Sequence, residues 1–378
     1  MKRKAINIIS ALVVLLASSC ISQFTPDITT QERYLTVDGL VTDADSRYRI
    51  KLTLSRPLEE TALEVPARGA SVSVIDSEGR SWQFTETKPG IYHSDSTLFR
   101  GMPGETYTLR ISHEGRQYES SPCLLRAAPP VDTLTHEVYD REINAEGDKE
   151  SVVRVALHTV DPERNSHYFR WTFLETWEIR LTFNLLTYEQ RVCWSSEESH
   201  AILVANTEAL SEDRITDFTL TVFNDDTDRG QNRYSMLVNQ YSISREEYEF
   251  WDNVERVSES TGGLYDVIPA AVPGNVMCTS DPDELVLGYF SVSGVSNKRI
   301  FIKNPLYVPD LYIDKCTYES VPAGIYYPGL GLSSWAIHEY SIDDGPKRWI
   351  ITLDVGCTDC GYFASKVKPD YWDAGFYK

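Results

Sequence analysis

Short runs in which apolar and polar residues alternate are the feature that most constrains the fold of this chain. In residues 48–54, Tyr48, Ile50, Leu52 and Leu54 occupy every second position, which puts them on one face of a β-strand. Six more short strand-like runs lie between residues 34 and 119, separated by turns that contain Gly, Pro and Asp. Strands at this spacing predict a β-sandwich, and we expect an immunoglobulin-like or transthyretin-like one over residues 32–126.

Two adjacent prolines, Pro129 and Pro130, interrupt this pattern and predict a domain boundary, because proline excludes helix and keeps the preceding residue extended. We therefore predict a linker over residues 127–134 and a larger β-rich domain over residues 135–378. Its strand-like runs are 152–160, 168–183, 285–292, 298–302 and 348–355, and its first hairpin loop is 144–148.

One helix stands out in the second domain, near residues 245–260. Ser244 is a good N-cap, and Glu247 three residues later completes a capping box. An apolar stripe follows at helical spacing, and we expect it to pack in the core rather than to form a groove for a partner. The stripe consists of Phe250, Trp251, Val254 and Val257.

The N-terminus has the pattern of an export signal that ends at Cys20. Three basic residues are followed by an apolar run from Ala5 to Ala17 and then by small residues. The run is shorter than the roughly 20 apolar residues that cross a bilayer. The pattern resembles the signal of bacterial lipoproteins, which is cut before a lipid-modified cysteine. We therefore predict a signal peptide over residues 1–19, a lipidated Cys20 and a tether over residues 20–31; an ordinary secretory signal is the alternative.

Cleavage before Cys20 makes an acidic protein more acidic. It removes three of the 36 basic residues and none of the 56 acidic ones, so the formal net charge falls from −20 to −23. Nucleic acid is a poor partner for such a surface, and we expect none.

Lipidation of Cys20 would turn an odd number of cysteines into an even one. Seven cysteines leave six, which permits up to three disulfides in an oxidising compartment. The candidates are Cys123, Cys193, Cys278, Cys316, Cys357 and Cys360. Fifteen pairings are open, and some of these thiols could be free and buried.

Cys357 and Cys360 have the spacing of a zinc or redox motif, but their setting favours disulfides. A structural zinc site would need a second such pair or two close histidines, and a thioredoxin-like site would need a βαβ unit. We expect each of the two to be bonded to a distant strand, with Cys316 and Cys278 as the nearest candidates.

We find no catalytic signature in the sequence. The serine-hydrolase elbow, the metalloprotease His-Glu-x-x-His and the phosphate-binding loop are all missing. The acidic run at residues 224–230 fails as an EF-hand loop, because its sixth position is Arg229 rather than Gly. We therefore expect no catalytic residues, no metal and no cofactor.

Several motifs together resemble a known family. They are Val37-Asp38-Gly39, Gly69-Ala70-Ser71-Val72, Gly90-Ile91-Tyr92, Tyr248-Glu249-Phe250-Trp251, Val272-Pro273-Gly274-Asn275 and Leu287-Gly288-Tyr289-Phe290. The series is similar to an uncharacterised family of outer-membrane lipoproteins of the Bacteroidota, domain of unknown function 4249. The resemblance implies attachment to the outer membrane and a gene that lies beside one for a TonB-dependent receptor.

We therefore expect a non-enzymatic accessory lipoprotein that binds a TonB-dependent receptor with its plug lipoprotein, or a peptide or glycan cargo. We expect it at the cell surface rather than on the periplasmic face, although the residues just after Cys20 lack the acids common in exported members. The alternatives are an extracellular polymer hydrolase and a structural adhesin or assembly module.

Overall fold

A computed structural model describes residues 33–55, 64–260, 272–306, 316–324, 336–341, 345–352 and 354–376. The predicted signal peptide, Cys20 and the tether lie outside these ranges. The described chain is mainly β, as the sequence predicts.

Twenty-one strands are described, numbered in chain order. The first group is β1 (Leu35–Thr42), β2 (Arg49–Leu54), β3 (Val65–Pro66), β4 (Ser71–Asp76), β5 (Ser81–Lys88), β6 (Ile91–His93), β7 (Thr106–His113), β8 (Arg116–Ser120) and β9 (Cys123–Leu124). The second group is β10 (Val131–Glu142), β11 (Lys149–Asp161), β12 (Tyr168–Arg180), β13 (Val192–Glu198), β14 (Leu203–Asn206), β15 (Asp213–Asn224) and β16 (Arg233–Ser242). The last group is β17 (Val276–Cys278), β18 (Leu287–Lys303), β19 (Tyr318–Pro322), β20 (Ala336–Tyr340) and β21 (Arg348–Thr352).

Four α-helices are described among the same residues. They are α1 (Tyr188–Arg191), α2 (Arg245–Ser260), α3 (Val355–Thr358) and α4 (Trp372–Phe376), and short 3₁₀ turns cover Asp228–Gly230 and Cys360–Tyr362. Within this part of the chain, every helix is too short or too polar to cross a bilayer.

The first sandwich forms from the alternating strands at the N-terminus. Burial in β2 and β4 follows the period of two: Ile50 and Leu52 are buried, and so are Val72 and Val74. One layer of the first sandwich contains β1, β2 and β6, and the other contains β4, β7 and β8. Strand β5 links the two layers, because its start pairs with β4 and its end pairs with β6.

The first core extends beyond residues 32–126. Strand β17 pairs with β8, and the first half of β18 runs parallel to β1, with Thr36 opposite Leu287. Val276, Phe290 and Val292 therefore lie in the first core, although they follow the predicted linker by about 150 residues.

The second sandwich packs the sheet β10-β11-β15 against the strands β12, β13, β14, β16 and the second half of β18. Residues predicted as two strands, 285–292 and 298–302, are thus one strand that serves both cores. A third sheet, β19-β21-β20, adds Ile337 and Ile350 to the second core.

Gly294 marks the point where β18 passes from one sandwich to the other. Its N–H donates to the carbonyl oxygen of Arg126 (2.7 Å), and an added Cβ would lie 2.3 Å from that oxygen. The predicted linker is fixed at the same place, because the Pro129 carbonyl accepts bonds from Gln240 and Ser296. Strand β10 already begins at Val131, inside the predicted linker.

Candidate functional site

A deep cleft is built around the tight turn between β7 and β8. Glu114 and Gly115 have φ of 48° and 82°, which is the backbone of a two-residue hairpin turn. The turn brings His113 and Arg116 to one end of the first sandwich, next to Arg33 and Tyr34, the first described residues.

The opposite wall of the cleft comes from a distant part of the chain. The N–H of Thr279 donates to the carbonyl of Gln117 (2.8 Å), and the N–H of Gln117 donates to the Ser280 hydroxyl (3.1 Å). These bonds continue the β8–β17 ladder and hold residues 281–285 beside the hairpin.

Glu284 is the central side chain of this wall. It is only 6% exposed, and its two oxygens accept from the Tyr118 hydroxyl (2.9 Å) and approach the Arg116 guanidinium (2.8 Å). Burial and the neighbouring carboxylate raise the pKa of Tyr118 well above its ordinary value, and Glu284 raises the pKa of Arg116. At neutral pH the phenol therefore stays protonated and the guanidinium stays charged.

The cleft has a volume of about 840 Å³, within the range of small-molecule and peptide sites. Acids, bases and tyrosines line it together. The lining residues are Arg33, Tyr34, Leu54, His113, Glu114, Arg116, Tyr118, Asp281, Asp283, Glu284 and Leu285. Fixed donors and acceptors beside tyrosine rings suit recognition of a polar ligand by hydrogen bonds and ring contacts.

The apolar stripe of α2 differs from the expectation. Phe250 is buried, but Trp251, Val254 and Val257 are only half-buried. They line a groove of about 440 Å³ between α2 and the β1–β18 pair. The stripe therefore packs in the core only at its start. The predicted helix stop at Gly262 and Gly263 lies outside the described residues.

Glu247 departs from the predicted capping box. Its N–H donates to the Ser244 hydroxyl (3.1 Å), as a cap requires, but its carboxylate turns toward β18. There it accepts from Ser291 (2.6 Å) and from the Trp251 indole (3.3 Å) while fully buried. Burial raises the pKa of Glu247. The side chain thus fixes α2 to the first sandwich.

The six candidate cysteines divide into two disulfides and two thiols. Cys193 is bonded to Cys360 and Cys316 to Cys357, so both members of the terminal pair are tied to distant segments. Cys316 is a partner as expected, whereas the second partner is Cys193 and not Cys278.

Cys123 and Cys278 are free thiols in the first core. Burial raises the pKa of Cys123 to about 12, so this thiol is protonated and a poor nucleophile at neutral pH. Among described residues, the group close enough to share a metal is Cys193, Asp359 and Cys360, and its two sulfurs are joined to each other.

Sequence reasoning missed the cleft residues. Asp281, Asp283 and Glu284 follow a Cys-Thr-Ser turn and look like a solvated acidic loop. Only the pairing of β8 with β17, across more than 150 residues, brings them to Arg116 and Tyr118. The one local signal was the apolar run Val276-Met277-Cys278, and three residues are too few to be read as a strand.

Comparison with known proteins gives a family but no function. No curated protein matches the sequence significantly. Among solved structures, a DUF4785 family protein from Legionella pneumophila matches with 11% identity over 55% of this chain and 51% of that one. The match spans about half of that protein, and its TM-score of 0.17 supports no argument. The sequence profile of Domain of unknown function (DUF4249) matches residues 21–299, which are more than half of the chain, and the protein therefore belongs to this family.

Proposed function

We propose that the protein is a non-enzymatic accessory lipoprotein, anchored in the outer membrane through Cys20, that binds the cargo of a TonB-dependent transporter system. The observation that carries this proposal is the cleft between the β7–β8 hairpin and residues 281–285. Its central carboxylate is already bound by Tyr118 and Arg116, so it is a preorganised acceptor rather than a free acid.

The position of the cleft supports a role close to the membrane. Arg33 and Tyr34 line it, and Arg33 follows Cys20 by 13 residues. A fully extended chain of this length spans at most about 45 Å. A lipid on Cys20 would therefore keep the cleft within reach of a receptor in the same membrane.

The chemistry of the cleft favours a peptide or a glycan as cargo. Tyr34 offers a half-buried ring, while Glu114, Asp281 and Asp283 offer exposed carboxylates. Sugar hydroxyls and peptide N–H groups are donors that such acceptors bind. An acidic protein also attracts positively charged peptides over a long range.

Affinity purification from outer membranes tests the proposal. The lipidated protein should copurify with a TonB-dependent receptor and with its peptide or glycan cargo, and Glu284→Gln should weaken capture of the cargo because it removes the charge that Arg116 and Tyr118 hold. Glu119→Gln is the matched control, since Glu119 lies next to Tyr118 on β8 in an exposed pair with Arg110. Recovery of cargo in equal amounts with both variants would exclude the cleft as the binding site.

Two further results bear on the anchor and on the class of protein. Cys20→Ser should abolish incorporation of labelled palmitate; incorporation that persists would remove the anchor from the proposal. Release of sugars or peptides from a polymer by the purified protein would instead support a hydrolase.

A further inference from the structure

Strand β10 forms an open edge of the second sandwich. In the described chain it pairs only with β11, and residues 136–142 are exposed on both faces. Val138 and Tyr139 are 48% and 40% exposed. A long edge with unpaired backbone groups is a template for another strand unless something protects it.

The register shows which backbone groups face outward. Residues of β10 and β11 pair without a bulge from Leu134↔Leu157 to Glu142↔Lys149, and the N–H of Ile143 bonds to the carbonyl of Asp148. Hydrogen-bonded and non-hydrogen-bonded pairs alternate in an antiparallel ladder. The backbone groups of His136, Val138, Asp140 and Glu142 therefore point away from β11, toward the open edge.

On the face of β10 that carries Glu137, Tyr139 and Arg141, the charges complement those of a reversed copy. If the strand is laid antiparallel to itself about Tyr139, Glu137 lies opposite Arg141 and His136 lies opposite Glu142. Tyr139 then lies opposite itself. Opposite charges and aromatic rings in directly facing positions are favourable cross-strand pairs.

Existing ion pairs extend this complementarity across the sheet. Arg141 pairs with Glu150 of β11, and Arg154 of β11 pairs with Glu137. In the antiparallel arrangement, the side chains of these ion pairs form one row across the joined sheets, with charges that alternate between negative and positive. The row is Glu150, Arg141, Glu137 of the second copy and Arg154 of the second copy. Shifting the axis to Asp140 would instead oppose Asp140 to itself. Shifting it to Val138 would put Glu137 opposite Tyr139 and lose the pair of Glu137 with Arg141, so the register about Tyr139 is preferred.

We propose that β10 pairs antiparallel with β10 of a second copy of this chain, with the two-fold axis at Tyr139, and that the two three-stranded sheets become one six-stranded sheet. The interface is isologous and closed, so it gives a dimer and not a filament. It consists of one strand pair without a large apolar core, and we expect a reversible dimer that dissociates on dilution.

Val138→Pro should prevent dimerisation without disturbing the fold of the monomer. The N–H of Val138 points to the open edge, so proline removes a bond to the second copy without removing one to β11. Sedimentation velocity over a range of concentrations should show a dimer for the unaltered protein and a monomer for the variant. At a dilution where the unaltered protein is also monomeric, the two proteins should have the same thermal unfolding midpoint.

Cysteine crosslinking tests the register and remains decisive if the proline variant misfolds. Tyr139→Cys should form an intermolecular disulfide on oxidation, because facing residues of a non-hydrogen-bonded pair lie about 4.5 Å apart between Cα atoms. Val138→Cys is the matched control and should stay monomeric on a non-reducing gel, since it faces Asp140. A monomer at every concentration, or a dimer that survives Val138→Pro, overturns the proposal; crosslinking of Val138→Cys alone overturns the register.

Discussion

The two sandwiches close their cores by different means. The first has no disulfide among its described residues and keeps two thiols, Cys123 and Cys278, in a core completed by strands from a remote part of the chain. The second is closed covalently, by Cys193–Cys360 and Cys316–Cys357, which fasten the C-terminal segment to its core. The first depends on pairing between remote residues, and the second depends on crosslinks.

Buried acids also differ in whether a cation is bonded to them. In the second sandwich, Asp213 is bound by Arg164, His167 and Thr207, and Glu178 is bound by Arg180 and Trp372. Glu247, at the border of the first, has hydroxyl and indole donors but no directly bonded cation among the contacts described. Asp213 thus stabilises the fold, as does Asp76 of the first sandwich, which Arg80 binds, whereas Glu247 carries a desolvation cost.

Loss of the disulfides should give the largest difference between the sandwiches. The bond Cys193–Cys360 closes 167 residues and Cys316–Cys357 closes 41. Replacing the first pair by serines should cost about 5 kcal/mol and the second about 4 kcal/mol, because the unfolded chain gains freedom. Hydrogen exchange should show faster exchange in β11, β12 and β16, with β4 and β7 unchanged. Equal acceleration in both groups would mean that the sandwiches unfold as one unit.

Strand β18 offers a matched pair of truncations, one in each core. Phe290 is fully buried in the first core and Ile302 is 2% exposed in the second. Phe290→Ala should cost about 4 kcal/mol and Ile302→Ala about 3 kcal/mol, through lost contacts and the cavities left behind. Denaturant unfolding gives the totals, and hydrogen exchange assigns each loss to its sandwich. If Phe290→Ala weakened the second sandwich equally, β18 would couple the two cores.

Local sequence patterns predicted where strands and helices lie better than they predicted which of them pair with each other. The alternation at residues 48–54 and the N-cap at Ser244 both correspond to observed elements, since neighbouring residues determine them. The parallel pairing of β1 with β18 joins residues about 250 apart, and no local pattern encodes it. No local pattern encodes the bond of Cys193 to Cys360 either, because six cysteines allow 15 sets of disulfides. Nor does one encode the position of the Glu247 carboxylate, which leaves the cap because Ser291 of β18 lies opposite.

Asp213→Asn should have an intermediate effect, confined to the second sandwich. Arg164, His167 and Thr207 lower the pKa of the buried Asp213 carboxyl despite its desolvation. Losing a charged acceptor of three bonds should cost about 2 kcal/mol at neutral pH. Because the folded-state pKa is lowered, this contribution is present above the unfolded value near 3.9 and is lost as pH falls through the folded pKa. Urea unfolding from pH 7 to pH 2 should therefore bring the two proteins together in acid. A difference in unfolding free energy that stayed constant over this pH range would indicate that the substitution acts through packing and not through the charge.

Glu247→Gln should give the smallest effect, and one of opposite sign. Burial raises the pKa of Glu247, so the folded protein holds this proton more tightly than the unfolded chain. Stability of the unaltered protein should fall as pH rises from the unfolded pKa, near 4.3, to the raised folded value. Gln keeps the bonds from Ser291 and Trp251 without the buried charge, so the variant should match the unaltered protein in acid and exceed it slightly at pH 8. Glu246→Gln is the control, because the pKa of that neighbouring carboxyl is lowered instead. A loss of stability in Glu247→Gln at pH 8 would mean that an unseen cation compensates Glu247, and the contrast with Asp213 would then disappear.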